Sequence, residues 1–362
     1  METIAFTRGV PAEESFPMED LIGCAEAALR RHGGTLLQYH PVRGFGPLRE
    51  LIAEQGGVSA DRIMVGNGSI QLFDLLARVL YEPGDSALVE RPTYDRSITT
   101  LRSAGYAVHG VDLADEGIDL AALEEALETR RPRLVYLIPD FQNPSGSTMS
   151  AENRQGVARL AARFDSHLVI DVPYRPLRYR GEDVPCVSEY APDRVVRLSS
   201  FSKLISPGMR VGWMSAPIDI IDRVARLAED TYISPGMLPQ GVVHEFLDRG
   251  LLPKTIDRLK ALYGPRLEAL LAALDRHMDD ATWIRPEGGF FVGMALPEDV
   301  RSTDVQRLAP KHGLQLSDGE GFYADGDGSR FVRLPFCALT ETQIGDAVER
   351  LARTVSRAQS AA

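Results

Sequence analysis

The chain has 362 residues, 44% apolar and 25% charged, a composition ordinary for a globular protein that excludes long disorder and suits two domains better than one small core. Its formal net charge of −11 argues against a broad nucleic-acid or anionic-membrane surface, since both reward clustered lysine and arginine. Three cysteines without CxxC spacing give neither a disulfide framework nor a zinc cage. No run of about 18 uninterrupted apolar residues and no signal-like leader occurs, so a cytoplasmic, metal-free protein of small-molecule chemistry is expected.

After an irregular start, MEDLIGCAEAALRRH (18–32) carries apolar residues at helical spacing and predicts an amphipathic helix. From about residue 46 to 240, helical patterns alternate with the short apolar runs RIMVG, SALVE, AVHGVD, RLVYLIP, HLVIDVP, VVRLSS and VGWMSAP. Such alternation predicts a large, mostly parallel sheet with helices on both faces. The stretch from VVHEFLDRG to DRHM reads as a helix, a break at Pro253 and a long linking helix. A smaller α+β unit follows, made of FFVGMALP, a helix around 302–311, LQLSDG, FVRLPFC and a closing helix from about 340, with SRAQSAA expected to fray. The expected division is an N-terminal segment and helix (1–38) packed against the small domain and the site, a large domain (39–248) and a small domain (249–362).

One stretch stands out chemically. In LSSFSKLISPGMRVGW (198–213), Lys203 is one of four lysines in a chain with 36 arginines. An amine that can shed its proton and attack a carbonyl suits this position; a guanidinium does neither. The lysine follows the apolar run VVRLSS, so it would stand at the carboxyl end of a strand, where open α/β sheets bind ligands. Ser200, Ser202 and Arg210 offer hydroxyls and a guanidinium fit for a phosphate, and neighbouring positive charge would lower the lysine pKa. A solvated surface loop is the plain alternative for such a stretch taken alone.

Other strand ends carry matching groups. GNGSIQ puts Gly68, Ser69 and Ile70 before a helix, with backbone amides aimed at an anion, although an ordinary cap at Asn67 or Ser69 would also explain it. Asp171 ends the apolar run VID, where a carboxylate is costly unless a cation meets it, and Tyr174 follows three residues on. Asn143, before Pro144, ends another strand in a turn; Tyr94, in VERPTYD, offers a ring face or simple core packing. Arg333 lies within the apolar strand FVRLPFC, where its guanidinium needs either a protein or a substrate carboxylate. A lysine, an anion cup, a carboxylate and a flat ring face are what pyridoxal 5′-phosphate requires.

Taken in order, FTRGVPAEESFP, LQYHPVRGFGPLRELIA, VGNGSIQ, PGDSALVERPTYD, IPDFQNPSG, IDVPYRPLRYRGE, SSFSKLISPGMRVGW, RPEGGFFVGMALP and FVRLPFC resemble the fold-type I pyridoxal-phosphate aminotransferases, in the class of 2-aminoadipate and kynurenine aminotransferases. The resemblance covers nearly the whole chain. It implies that Lys203 forms the Schiff base, Asp171 partners the pyridine nitrogen, Asn143 and Tyr174 meet the phenolate oxygen, and Tyr94 stacks on the ring. Gly68, Ser69, Ile70, Ser200, Ser202 and Arg210 match the phosphate cup, and Arg333 the grip on the substrate carboxylate. Tyr39 would reach the phosphate of a neighbouring subunit, which implies a homodimer with shared sites.

Departures from the family pattern are equally specific. Ile70 replaces a frequent glutamine and leaves only a backbone amide, Arg8 replaces a small residue and would read an acidic substrate group or pair on the surface, and Val172 and Leu204 have no assigned consequence. The expected reaction is ping-pong transamination between an amino acid and a 2-oxo acid. The alternative is elimination, cyclisation or carbon–carbon bond formation on the same cofactor, with S-adenosylmethionine as one candidate substrate. A cofactor-binding module without turnover is the third reading, and the joint presence of Lys203, Asp171, Tyr174 and Arg333 speaks against it.

Overall fold

The computed structural model describes residues 3–7 and 9–360. Its strands are β1 (Ile4–Phe6), β2 (Ile63–Gly66), β3 (Ser86–Arg91), β4 (Ala107–Ala114), β5 (Gly117–Ile118), β6 (Leu134–Leu137), β7 (His167–Asp171), β8 (Val195–Ser200), β9 (Gly212–Ser215), β10 (Thr282–Trp283), β11 (Phe291–Ala295), β12 (Leu314–Leu316) and β13 (Phe331–Pro335). The helices are α1 (Met18–Leu36), α2 (Gly46–Gly56), α3 (Ser69–Leu80), α4 (Asp95–Ala104), α5 (Leu120–Arg130), α6 (Ala151–Arg163), α7 (Val187–Tyr190), α8 (Ile218–Tyr232), α9 (Met237–Asp248), α10 (Leu251–His277), α11 (Ser302–Leu308) and α12 (Glu341–Gln359).

Eight strands form the main sheet in the order β2-β9-β8-β7-β6-β3-β4-β5. Neighbours from β8 through β4 are parallel, whereas β9 runs against both β8 and β2, and β5 against β4. Apolar runs of similar composition do not disclose direction, so these reversals were not readable from the sequence. In β7, Val169 joins one core layer while Leu168 and Ile170 join the other, as expected of a strand buried on both faces. Each such side chain contributes about 1.5–3 kcal/mol when fully buried.

Two smaller sheets complete the fold: β10-β11-β13, antiparallel, and β1 paired in parallel with β12. The pairing of β1 with β12 joins opposite ends of the chain and was not anticipated. The helix break expected at Pro253 falls instead at Gly250, whose left-handed backbone (φ 66°) caps α10. Pro253 sits in the first turn of that helix, where a missing N–H costs nothing. Ser356–Gln359 remain helical within α12 rather than frayed.

Candidate active site

Five strand ends converge. Beyond β2, Gly68 takes φ 98° and caps α3 with backbone alone, so neither Asn67 nor Ser69 is the cap. Asn67 instead uses its side-chain oxygen to accept from the Gly236 amide and its carbonyl to accept from Arg210 Nη2 at 3.0 Å. Beyond β3 comes Tyr94, beyond β6 Asn143, at the tip of β7 Asp171 and Tyr174, and beyond β8 Ser200, Ser202 and Lys203. All of these, with Gly68, Ser69, Ile70 and Arg210, line one cavity of about 210 Å³. The wall by Ser69 has no room for an extra atom at Gly212, where a Cβ would stand 2.2 Å from the Ser69 amide nitrogen, and Gly68 is held to glycine by its φ of 98°.

The carboxyl group of Asp171 is sunk in the sheet. Tyr136 donates its hydroxyl to Asp171 Oδ2 at 2.9 Å, while Oδ1 is buried without a partner. Burial raises its pKa from 3.8 to about 6, against the lowering influence of Tyr136 and Lys203. An orphaned acceptor there fits a protonated ring nitrogen, which would supply the missing donor and restore the carboxylate's ordinary charge. Lys203 is held below the usual lysine range, chiefly by burial, with Cys337 and Asp171 opposing and Arg333 and Arg210 assisting. The positive charge invoked from the sequence is thus the lesser cause. Burial keeps the Tyr174 phenol protonated and therefore a donor.

Arg333 is nine-tenths buried between the rings of Phe291 and Phe322, 4.9 and 4.6 Å from their centroids. It donates to Asn143 Oδ1 (3.0 Å) and the Thr7 carbonyl (2.8 Å), and its Nε is buried without a partner. With Tyr94, Asn143, Tyr174 and Lys203 it lines a second cavity of about 550 Å³, rimmed by Asp95, Arg96 and Asp318. A strap of N-terminal backbone closes this side: Arg333, Lys203 Nζ (3.0 Å) and Cys337 Sγ (3.0 Å) donate to the carbonyls of Thr7, Gly9 and Val10. Burial pushes the Cys337 thiol up to about 12, so it stays a donor.

Of the expected residues, Tyr39 lines neither cavity and is 74% exposed, and Arg8 lies outside the described residues. Sequence reasoning missed Tyr136, which sits in the LVYL run of β6 and reads as core. It also missed Phe291, Phe322 and the strap carbonyls, for which the only signal was that an apolar strand flanks Arg333. A further group, His32, His244 and Glu245, brings ligand-type atoms within 4.8 Å of one another. Arg31 and Arg249 already flank the Glu245 carboxylate at 3.3 and 3.4 Å, which makes it a charge-paired node between α1 and α9.

A lysine on a strand end, a carboxylate beneath it and a glycine-built anion cup define a pyridoxal-phosphate enzyme of fold type I. The family model described as aminotransferase class I and II matches residues 6–351, and the chain belongs to that family. Aromatic-amino-acid aminotransferase 1 of Thermococcus litoralis is 34% identical over 98% of this chain and 88% of its own length. The 2-aminoadipate transaminase of Thermus thermophilus is 34% identical over 97% and 90%. Among solved structures, the α-aminoadipate aminotransferase LysN from Thermus thermophilus, complexed with N-(5'-phosphopyridoxyl)-L-leucine, superposes with TM-score 0.95 at 33% identity, covering 99% of this chain and 94% of that one. The multiple substrate aminotransferase of Thermococcus profundus gives TM-score 0.96 at 32% identity, covering 100% and 93%. The protein is a pyridoxal-phosphate-dependent aminotransferase acting on amino acids; the elimination and cyclisation alternative is not favoured by these relatives. No helix among the described residues is long and apolar enough to cross a membrane.

Proposed function

We propose the following division of labour for transamination. Pyridoxal 5′-phosphate supplies an aldehyde that captures amino groups and an electron sink for the charge left at Cα. Lys203 Nζ is the amine that would hold the aldehyde and the base that would carry the substrate Cα proton, a role favoured by its burial-lowered pKa. Asp171 would keep the ring nitrogen protonated through its free Oδ1, with Tyr136 fixing the other oxygen. Asn143 and Tyr174 would hold the phenolate oxygen and Tyr94 would cover the ring. Gly68, Ser69, Ile70, Ser200, Ser202 and Arg210 form the phosphate cup, Ile70 through its backbone only.

Arg333 grips the substrate carboxylate with the planar fork that suits it, and its unpartnered Nε is the donor reserved for that bond. The substrate side chain would enter the 550 Å³ cavity, between Phe322 and the polar rim at Arg96. That space suits long acidic or aromatic side chains of the kind named for the relatives. Tyr39, exposed in the single chain, is proposed to reach the phosphate of a second copy, giving a homodimer with shared sites. The proposed units remain 1–38, 39–248 and 249–362, and the three unpaired cysteines favour the reducing cytoplasm.

The observation that carries the assignment of roles is the pair of buried orphans, Asp171 Oδ1 and Arg333 Nε, on residues lining the two cavities that meet at Lys203. The test is to mix cofactor-loaded protein with a panel of amino acids and follow its visible absorbance. Acidic or aromatic amino acids should bleach the band, and a 2-oxo acid should restore it. Lys203→Ala should do neither and should take no label on borohydride reduction. A Lys203→Ala variant that still turns over would overturn the assignment.

A further inference from the structure

Arg197, on β8, is a cation without a counter-ion among the described residues. Its side chain points to the same sheet face as Val195 and its neighbour Ile170, and it stacks on the indole of Trp213 at 5.1 Å. Its Nε is buried with no partner, and the described chain offers the guanidinium neither a hydrogen bond nor an ion pair. Only that Nε–H is cut off from water, a modest cost, and the cation–π contact, worth about 0.5–2 kcal/mol, leaves the half-buried guanidinium's terminal nitrogens open to an anion.

The same guanidinium lines two adjoining cavities of about 200 and 180 Å³, which share Ile52, Gly56 and Trp213 as well. The other cations there are satisfied: Arg62 donates to Pro192 and Ala216 carbonyls and faces Asp193 at 3.2 Å, and Arg175 is bound to Asp140 and Asp183. The one acid lining them, Glu189, has its Oε1 engaged by the Cys186 amide at 2.6 Å. Ser188 and Ser215 add hydroxyls with no partner in the described chain, and Val58, Ile63 and Trp213 supply apolar wall. The cavity beside Ser199 and Phe201 lies behind the segment that leads to Lys203 and shares with the active-site cavities only Ser200.

We propose that this is a second binding site, for a small monocarboxylate with a branched or aromatic apolar body, whose carboxylate pairs with Arg197 while its body lies against Trp213 and Ile52. One planar cation and apolar walls match a monoanion; a phosphate would ask for more donors and less grease. The site does not depend on the roles assigned to Lys203, Asp171 and Arg333.

The test uses cofactor-loaded protein carrying Trp283→Phe, which leaves Trp213 as the sole tryptophan. Benzoate should change the Trp213 fluorescence saturably, with a Kd of roughly 1 mM, a fair affinity for so small a ligand, while uncharged benzamide should not. Arg197→Met should weaken the response roughly tenfold or more, the loss expected for a charge-assisted pair, whereas Arg333→Gln should leave it intact. Should Arg197→Met fail to fold, Arg197→Lys keeps the charge without the stacked fork and should weaken binding roughly fivefold or more. The proposal is overturned if benzoate gives no saturable change, if benzamide matches it, if both Arg197 variants bind as tightly as the parent, or if Arg333→Gln alone abolishes the response.

Discussion

The carboxyl of Asp171 should be a burden on the cofactor-free fold and an asset to the loaded enzyme, and one substitution separates the two. Burial moves its pKa from 3.8 to about 6, so between those values the folded chain retains a proton that the unfolded chain has lost. Stability therefore falls as pH rises through that window, and above pH 6 the folded chain carries the whole penalty, up to about 3 kcal/mol. An amide imitates the protonated acid: Asp171→Asn keeps an oxygen for Tyr136 and cannot ionise. The cofactor-free variant should be about 1–3 kcal/mol more stable than the parent in urea unfolding at pH 8, with the gain shrinking toward pH 5. With cofactor bound the sign reverses, because the amide cannot hold the ring nitrogen protonated. Turnover should fall by roughly 10²–10³, the scale for removing one preorganised electrostatic partner. A variant no more stable than the parent at pH 8, or one turning over within threefold of it, would refute this reasoning.

Three other substitutions probe other parts of the structure. Arg333→Gln should lower kcat/KM for amino acids by roughly 10–100-fold, the value of a charge-assisted pair, while leaving reaction with the matching amine that lacks a carboxylate unchanged; equal losses on both would deny the residue its role. Gly212→Ala drives a Cβ to 2.2 Å from the Ser69 nitrogen. Since that neighbour is backbone, the cost should be roughly 1–3 kcal/mol of stability, read by denaturant midpoint, together with weaker cofactor binding. Glu90, wholly buried, has its pKa raised to about 8 by burial, against the hydrogen bonds from Gln142 and the Ile138 amide. Its stability contribution falls as pH rises from 4.5 toward 8, so Glu90→Gln should remove that slope from the urea-derived stability profile.

The residues that carry chemistry were legible wherever a polar group interrupts an apolar run at its end. Lys203, Asp171, Asn143 and Tyr94 all announce themselves this way, because a parallel strand is apolar until it reaches the crevice. Arg333 was legible for a related reason, as a charge inside a strand. Tyr136 was not, since a tyrosine in LVYL is chemically indistinguishable from core until its hydroxyl is seen to meet Asp171. Strand direction at β9 and the Gly250 break also escaped: the first depends on a connection and not on composition, and the second on one left-handed residue overshadowed by a nearby proline. Arg197 was passed over within VVRLSS, where its lack of a partner is a property of three dimensions.

The parallel ribbon of Ile4–Phe6 with Leu314–Leu316 has an implication for how the molecule is made. During synthesis the first strand emerges long before its mate exists, and must wait unpaired through the construction of the entire eight-stranded sheet. Only when the C-terminal part of the chain arrives can the leading segment settle over Lys203 and Arg333. Competence to close the pocket is thereby tied to the arrival of Leu314–Leu316 and Arg333, and a chain released before them would present an open cleft.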